Sequence, residues 1–278
     1  MENPEGSPVK PIAVLIPVWN RQAKLERALG SLVGDSSLLE AVVVDDGSEP
    51  PVRITPSFPF KVRLIRLPAN GGIAAALNVG LAYVFELGYR YVARLDSDDV
   101  AVEGRFARQF AFMERNESIG ICGGGYHEHD EQGRLVGAVL PPCDDRGIRR
   151  GMHLRTTLWH PTVMIRTAVA RRVGFFDTAL TCEDIDYFLR ILDVARAANL
   201  PEPLIRYETG SADALTGTPS RRRAIAKDLL RIKWRRRCPG DPQWWLGNLA
   251  AMSYYLGINR PLRRCQDRFE GWIGKGTR

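Results

Sequence analysis

The sequence predicts an α/β fold, with a mostly parallel central sheet flanked by helices and a helical C-terminal extension. Short apolar runs occur at 12–16 and 41–44, and apolar stretches interrupted by arginine occur at 62–67 and 90–95. Such runs are typical of strands that are buried on both faces, as the strands of parallel sheets are. Helical patterns separate several of these runs, and strand–helix alternation favours a parallel sheet. Polar residues follow the strands, where open α/β sheets bind ligands.

The first hundred residues supply this alternation element by element. Pro17 closes the first strand, and residues 25–32 then place apolar side chains on one face of a helix. The second strand ends in the polar segment 45–48, and a proline-rich connection leads to the third. The turn at 70–72 opens an alanine-rich helix that runs from 73 to about 86.

After residue 100 the pattern becomes more mixed. Residues 105–115 are predicted to be helical, and 119–125 to form a strand that ends in a flexible glycine run. A further strand is predicted at 134–140, and 160–165 is predicted to be extended. Residues 183–186 open another helix, where acidic side chains also suit the helix dipole.

The C-terminal region differs from the rest of the chain in its charge. Residues 221–278 hold 15 Lys and Arg against 4 Asp and Glu, a balance of +11, whereas the whole chain carries +7. Aromatic and apolar residues at 244–256 lie between arginine clusters, which predicts two helices or a helical hairpin. This composition suits an anionic membrane surface. The alternative is a solvated basic face whose aromatics pack on the main domain or on a second subunit, and both interpretations stay open.

Length and composition exclude several classes of protein. The 278 residues, 45% of them hydrophobic, suffice for one large domain with an appendage. Five widely spaced cysteines without a C-x-x-C pair argue against a disulfide framework or a zinc site and suit a reducing cytosol. Residues 1–10 lack a signal-peptide pattern and are predicted to form a short disordered leader. No window reaches the about 20 apolar residues that a membrane-spanning helix needs.

The acidic segment Arg94-Leu95-Asp96-Ser97-Asp98-Asp99 is the most unusual feature of the sequence. Three carboxylates in four residues after a strand repel one another unless a cation lies among them or they face water. Mg²⁺ and Mn²⁺ prefer oxygen ligands, and Mg²⁺ often binds one or two carboxylates together with substrate phosphates. The segment therefore predicts a metal–diphosphate site. The alternative is that Asp98 or Asp99 caps the helix that starts near residue 103.

Seven segments in order along the first 210 residues resemble the family 2 glycosyltransferases of the GT-A fold, of the type that acts in bacterial surface-polysaccharide synthesis. They include Val44-Asp45-Asp46-Gly47-Ser48 and His160-Pro161-Thr162. Each segment alone is a weak signal, and their ordered set is specific. The matching residues are 16–20, 44–48, 70–74, 76–80, 93–99, 160–166 and 183–187.

The resemblance implies a nucleotide site at the strand ends. In this family the loop after the first strand packs on the nucleotide base, and Trp19 could stack on a uracil or belong to the core. Asp46 would accept a hydrogen bond from the base N–H, although an Asp-Gly pair is also a turn signal. The implied nucleotide-binding residues are Pro17, Val18, Trp19, Asn20, Asp46, Asn70, Gly71 and Asp96.

The resemblance also implies a divalent metal, Mn²⁺ or Mg²⁺. Asp98 would bind the metal that bridges the diphosphate, and Asp96 would reach the ribose or a metal-bound water. The chain departs from the family after the predicted strand at 204–207, where a histidine often completes the site. Here residues 208–211 hold no histidine. Waters and phosphate, or Glu208, would then complete the coordination.

On the acceptor side, the resemblance implies that Asp184 is the base that removes the acceptor hydroxyl proton, with Glu183 as second choice. The family normally inverts the anomeric centre. His160 would lie near the acceptor, although a single histidine is often structural. Its neighbour Trp159 could provide a platform on which a sugar stacks.

These features together predict a glycosyltransferase that uses a nucleoside-diphosphate donor, most simply a UDP-sugar. The acceptor would be a saccharide, free or lipid-linked, and the enzyme cytoplasmic or peripheral at the inner face of the membrane. The predicted domains are a leader at 1–10, a GT-A domain at 11–215 and a basic helical extension at 216–278. Alternatives are a catalytically silent nucleotide-sugar binder and a nucleic-acid binder that acts through the tail, although no nucleic acid is expected. The sequence leaves open whether the protein forms a homo-oligomer.

Overall fold

The computed structural model describes residues 10–55, 57–130, 132–208, 219–236 and 238–256. The predicted leader, apart from Lys10, and the predicted domain boundary at 215 lie outside these residues. The described strands are β1 Ile12–Val18, β2 Leu39–Asp45, β3 Val62–Arg66, β4 Tyr91–Arg94, β5 Val100–Ala101, β6 Ile119–His129, β7 Leu135–Val139, β8 Met164–Arg166 and β9 Arg196–Glu208. The described α-helices are α1 Gln22–Gly30, α2 Ile73–Leu87, α3 Arg105–Arg115, α4 Asp145–Met152, α5 Thr167–Val173, α6 Glu183–Val194, α7 Pro219–Arg235 and α8 Pro242–Leu256.

The strands of the described residues form one sheet in the order β3-β2-β1-β4-β8-β6-β9-β5, with β7 paired to β6. The run β3-β2-β1-β4 is parallel throughout, and β6 is parallel to β9. Strand β8 is antiparallel to both of its neighbours and joins these two parallel parts. The α/β prediction, with a GT-A-like mostly parallel sheet between helices, is confirmed.

Alternate side chains of β1 face opposite layers of the core, as the two-residue period of a strand requires. Ile12, Val14 and Ile16 pack in the layer that holds α1 and α3. Ala13 and Leu15 pack in the layer that holds α2 and α6. Both faces of the strand are therefore buried, which explains why its sequence is a continuous apolar run.

Strand β1 continues past the proline that was predicted to close it. The carbonyl of Leu15 accepts from Leu95 on the β4 side, and that of Val18 accepts from Asp46 on the β2 side. By alternation, the nitrogen of Pro17 faces β4, whose pairing with β1 ends at Leu15. The missing N–H therefore removes no ladder hydrogen bond.

The glycine run at 123–125 lies within β6, so the prediction that the strand ends there in a flexible segment is wrong. A Cβ on Gly123 would lie 2.5 Å from Oδ1 of Asn199, and one on Gly124 would lie 2.6 Å from Leu204. At Gly125 it would meet the carbonyl of Val139. These glycines therefore allow neighbouring strands to approach closely, and do not make the segment flexible.

The segment predicted to be extended at 160–165 begins instead with a short 3₁₀ helix, His160–Thr162, and β8 starts only at Met164. The hydroxyl of Thr162 donates to the carbonyl of Trp159 at 2.8 Å, which closes the turn. The prediction was therefore wrong for the first residues of the segment, because a local side-chain bond stabilises a turn there.

The C-terminal extension forms the predicted pair of helices, α7 and α8, which pack on each other. Helix α7 also contacts the main domain: Oδ2 of Asp228 accepts from the backbone N–H and the hydroxyl of Thr181, at 2.9 and 2.8 Å. Lys233 donates to the carbonyl of His153 at 2.6 Å. Across the described ranges, every helix is too short or too polar to traverse a bilayer.

Candidate active site

The carboxyl ends of β1, β2 and β4 lie side by side at one edge of the sheet, because these strands are parallel and adjacent. The polar segments that follow them, 19–20, 45–48 and 96–99, therefore lie together. The turn at 70–72 joins this group through hydrogen bonds to Asp46. The position agrees with the ligand site expected of an open α/β sheet.

Asp46 is buried and holds the turn that precedes α2. Its two carboxylate oxygens accept the N–H groups of Gly71, at 2.8 Å, and Gly72, at 3.0 Å. Gly72 precedes the first turn of α2, where backbone N–H groups have no partner within the helix. Asn70 and Gly71 are exposed on this turn. Asp46 thus has a structural role, and its contact with a nucleotide base stays a prediction.

Asn20 connects the ends of β1 and β2. Its backbone is left-handed, with φ of 54°, its N–H donates to Oγ of Ser48 at 2.9 Å, and its Oδ1 accepts from Glu49 at 2.8 Å. The preceding Trp19 is 51% exposed, whereas Pro17 and Val18 are buried. Trp19 is therefore the aromatic side chain of this loop that faces solvent and is accessible to a ligand.

Asp96 lies between two cationic groups. Nη2 of Arg94 donates to its Oδ1 and Nε2 of His160 lies 2.7 Å from its Oδ2. Burial alone would raise the pKa of Asp96, but the charges of His160 and Arg94 outweigh it and lower that pKa well below its usual range. Asp96 is thus held as a carboxylate with both oxygens engaged.

The next two carboxylates have different environments. Asp98 is partly exposed and pairs with the guanidinium of Arg21, just before α1. Asp99 is buried, and burial together with the charges of Asp96 and Asp98 raises its pKa. The chain continues from Asp99 into β5, and α3 begins only at Arg105, so the helix-cap interpretation of Asp98 and Asp99 is wrong.

His160 bridges the acidic segment and the start of α6. Its Nδ1 lies 3.1 Å from Oδ2 of Asp184, while its Nε2 contacts Asp96. Burial would lower the pKa of His160, but the charge of Asp96 and the hydrogen bonds that the imidazole donates to both carboxylates raise it well above its usual range. The imidazole is therefore protonated at neutral pH and donates one hydrogen bond to each carboxylate.

The 3₁₀ turn that carries His160 is fixed from behind by α3. Nε2 of Gln109, which is fully buried, donates to the carbonyl of Thr162 at 2.9 Å and to that of Cys122 at 3.0 Å. Arg105 is equally buried and donates to the carbonyl of Arg94 at 2.8 Å. Helix α3 thus supports both the histidine and the acidic segment.

Glu183 and Asp184 open α6 and differ in their acidity. Burial, and then the charge of Asp184, raises the pKa of Glu183 to about 7. Burial opposes ionisation of Asp184 too, but the hydrogen bond and the charge of His160 lower its pKa. Oδ1 of Asp184 also accepts from the N–H of Ile185 at 2.8 Å. At neutral pH Asp184 is therefore the ionised member of the pair.

Trp159 belongs to an aromatic cluster beside this site. Its ring meets that of Tyr126 edge-on at 5.1 Å, and Tyr126 contacts Tyr207 at 5.4 Å. Burial and then the charges of Asp99, Asp98 and Asp96 raise the pKa of Tyr207. The position next to His160 agrees with the predicted sugar platform, which stays a prediction.

Two carboxylates at a partly open strand end fit a divalent cation that takes its other ligands from diphosphate and water. Asp98 and Asp96 supply hard oxygen atoms, and a cation at Asp98 would replace Arg21. In the described part of the chain no group of three or more His, Cys, Asp and Glu side chains is arranged to hold a metal by itself. Glu208 pairs with Arg27 at 3.0 Å, and its part in completing the coordination stays a prediction.

Sequence reasoning missed four arginine and tyrosine side chains of this site. A signal existed for Arg94, because a charged residue within a buried apolar strand needs a partner. Arg21, Tyr126 and Tyr207 gave no comparable signal, since their partners lie far away in the sequence.

Comparison with known proteins relates the chain to one family. A family model described as glycosyl transferase family 2 matches residues 13–175. The amylovoran biosynthesis glycosyltransferase AmsE of Erwinia amylovora is 30% identical over 207 residues, which are 72% of this chain and 76% of AmsE. Such relatives are bacterial exopolysaccharide and O-antigen glycosyltransferases.

Two solved structures share the fold at low sequence identity. The mannosyltransferase PcManGT of Pyrobaculum calidifontis, in complex with GDP-Man and Mn²⁺, aligns over 89% of this chain and 70% of its own, with a TM-score of 0.58 and 16% identity. S. aureus TarS 1-349, in complex with UDP-GlcNAc, aligns over 88% and 81%, with a TM-score of 0.56 and 18% identity.

Proposed function

The chain belongs to glycosyl transferase family 2, and from that premise we propose that it transfers one sugar from a UDP-sugar to a saccharide acceptor, with inversion, in the synthesis of a cell-surface polysaccharide. The acceptor is a growing saccharide chain carried on a lipid. The enzyme works in the cytoplasm, peripheral to the inner face of the membrane, and residues 221–278 meet the anionic surface there.

The donor half of the site is the group of strand ends around Asp46 and Asp96. The exposed ring of Trp19 would stack on the base, and the turn at 70–72 would offer backbone to the nucleotide. Asp96, held in its ionised form by Arg94 and His160, would reach the ribose or a metal-bound water. Solved relatives in complex with UDP-GlcNAc and with GDP-Man and Mn²⁺ support a nucleotide-sugar donor.

A divalent cation, Mn²⁺ or Mg²⁺, would be held by Asp98 with Asp96 beside it. When bound, it would offset the negative charge that develops on the nucleoside-diphosphate leaving group. The side chain of Arg21, released from Asp98, would remain next to the same phosphates. Two cationic groups, the metal ion and the guanidinium, would then face the leaving group from one side.

The acceptor half is the start of α6. Asp184 takes the proton from the acceptor hydroxyl, and the oxygen attacks the anomeric carbon on the face opposite the diphosphate. His160 donates to Oδ2 of Asp184 and keeps this carboxylate ionised at neutral pH. Glu183 is the second choice for the base, and Trp159 and His160 border the acceptor.

One observation carries this proposal: a single imidazole, His160, joins the carboxylate of the donor side to the carboxylate of the acceptor side. Its two nitrogen atoms lie 2.7 Å from Asp96 and 3.1 Å from Asp184. A base must lie across the anomeric carbon from the diphosphate. The His160 bridge sets the distance between the donor-side carboxylate, Asp96, and the acceptor-side carboxylate, Asp184.

The experiment is a turnover assay that measures the nucleoside diphosphate released from panels of UDP-sugars and GDP-sugars, with Mn²⁺ and with saccharide or lipid-linked saccharide acceptors. The proposal expects release that requires an acceptor and is lost in Asp184→Asn. Acceptor-dependent release of GDP, and not of UDP, would overturn the choice of donor. Nucleotide binding without turnover for any donor would support the silent binder instead.

A further inference from the structure

Helix α8 has one face buried and the opposite face exposed, and both faces are apolar. Trp244, Gly247 and Ala251 face inward, where a Cβ on Gly247 would collide with the carbonyl of His153. The outward residues recur at positions i, i+1, i+4 and i+7 and form one stripe. They are Trp245, Leu246, Leu249 and Met252, which are 41–60% exposed.

The composition of α8 is unusual for a helix at the surface of a domain. The segment 242–256 contains no Asp, Glu, Lys or Arg. Surface helices of globular proteins carry charged residues on the side that faces water. A contiguous row of large apolar side chains without charges indicates a surface that meets another apolar phase.

The neighbouring helix α7 presents the opposite chemistry. Basic side chains are exposed along it at positions i, i+4, i+8 and i+12, namely Arg223, Lys227, Arg231 and Arg235. The single acidic residue of the helix, Asp228, is buried against Thr181. The exposed charge of α7 is therefore entirely positive.

A cluster of tryptophans connects these two surfaces. The ring of Trp244, buried between the helices, stacks on Trp234 of α7 at 5.7 Å and meets Trp245 of α8 edge-on at 4.8 Å. Trp234 and Trp245 are about half exposed. Tryptophan side chains of this kind lie at the boundary between lipid headgroups and acyl chains.

We propose that the α7–α8 pair docks on an anionic lipid bilayer, with the Trp245–Leu246–Leu249–Met252 stripe inserted at the headgroup boundary and the basic residues of α7 on the headgroups. The proposal deepens the proposed function, since it rests on it for the lipid-linked acceptor, but the binding itself does not depend on catalysis. An apolar stripe beside a cationic face fits such a surface, because the acyl chains accept apolar side chains and the anionic headgroups attract basic ones.

The same contacts tie this surface to the base of the proposed reaction. Asp228 of α7 binds Thr181, and Ile232 packs on Leu180 and Cys182, directly before Glu183 and Asp184. The bilayer surface is thus connected through packed side chains to the start of α6. A lipid-linked acceptor would then be presented to Asp184 by a protein held in a fixed orientation.

Two other occupants fit less well. A second copy of the chain would place one cationic α7 near another across a twofold axis, and like charges repel. A nucleic acid would use the basic face but would leave the apolar stripe of α8 in water. The bilayer alone satisfies both surfaces.

The test is sedimentation of the purified protein with phosphatidylcholine vesicles, with and without phosphatidylglycerol. Leu249→Glu/Met252→Glu should weaken binding to the anionic vesicles at least about tenfold. The matched control is Leu135→Glu/Val136→Glu, which changes two apolar residues on β7 that are at least about as exposed as Leu249 and Met252 and should bind like the wild type. Arg223→Gln/Lys227→Gln/Arg231→Gln should remove the preference for anionic vesicles.

A UDP thermal-shift measurement on every variant separates this proposal from the proposed function. An unchanged UDP shift with lost vesicle binding is the expected result for the α8 variant. Equal vesicle binding by the α8 variant and the β7 control would overturn the docking surface. If the wild-type protein does not bind vesicles, two further results would also overturn the docking surface. One is a wild-type dimer that the α8 changes dissociate, and the other is RNA binding that weakens with salt.

Discussion

The imidazole of His160 is hydrogen-bonded to the carboxylate of Asp184, with 3.1 Å between Nδ1 and Oδ2, and its other nitrogen contacts Asp96. The bridge keeps all three groups charged, because each carboxylate raises the pKa of the histidine and the histidine lowers theirs. A base that is ionised before the acceptor arrives needs no prior loss of a proton. The bridge therefore has measurable consequences for pH dependence.

His160→Gln should shift the acid limb of the pH profile of kcat/KM to higher pH. The cation that lowers the pKa of Asp184 is lost, so a larger fraction of Asp184 is protonated at mildly acidic pH. The measurement is kcat/KM between pH 4 and 9. His153→Gln is the control, since His153 is not among the site residues and binds Lys233 through its backbone carbonyl, which the substitution keeps. An acid limb at the wild-type position in His160→Gln would contradict the bridge.

Asp184→Asn should lower kcat by about 10²–10⁴-fold, because that range is typical of general bases. Glu183→Gln should lower it by less than about tenfold, since Glu183 has a pKa of about 7 and is only half ionised at neutral pH. Asp186→Asn is the control in the same helical turn, where Asp186 pairs with Arg190. A larger loss in Glu183→Gln than in Asp184→Asn would exchange the roles of the two acids.

Glu183→Gln should also stabilise the protein above pH 7. The pKa of Glu183 is about 7 in the folded state and 4.5 as a free side chain, so the folded state binds the proton more tightly. Stability therefore falls as pH rises from 4.5 to 7, by at most about 3 kcal/mol. The variant lacks this loss. Denaturant unfolding at pH 4 and pH 8 measures the free energy of unfolding of both proteins. A difference between variant and wild type that does not grow with pH would contradict the buried carboxyl.

Asp46→Ala should destabilise the fold by about 2 kcal/mol and weaken nucleotide binding. It leaves the N–H groups of Gly71 and Gly72 without their carboxylate partner at the start of α2. Asp144→Ala is the control, because the side chain of Asp144 also accepts a backbone N–H at a helix start, that of Gly147 in the first turn of α4, and is not among the proposed nucleotide-binding residues. Both variants should melt earlier, and only Asp46→Ala should lose affinity for UDP. Equal affinity in both would make Asp46 purely structural.

Much of the fold could be predicted from the sequence because local patterns and tertiary structure agree. Helix α3 has the predicted limits, and the apolar runs at β1, β2 and β4 are strands because both of their faces are buried. The prediction for the glycines of β6 was wrong, since a glycine run occurs both in flexible segments and where strands pack closely. Only the neighbouring strand, through Asn199 and Leu204, distinguishes these two roles.

For the candidate site, the sequence predicts which segments meet and does not predict the contacts between their side chains. The segments after β1, β2 and β4 meet because the parallel topology requires it. The bridge by His160 depends on a turn closed by Thr162 and held by Gln109, and no local pattern specifies that. Likewise, Arg21 reaches Asp98 over a separation of 77 residues.

The central claim is that the acidic segment holds a metal–nucleoside diphosphate, and thermal shift tests it most directly. The protein is melted with UDP, GDP, CDP and TDP, each with and without Mn²⁺, since a ligand of the native state raises the melting temperature. The matched control for Asp98→Ala is Asp193→Ala, which removes a surface ion pair with Arg236. The account predicts a rise with UDP that requires Mn²⁺, persists in Asp193→Ala and vanishes in Asp98→Ala. A rise that survives in Asp98→Ala, or no rise with any nucleotide, would contradict it.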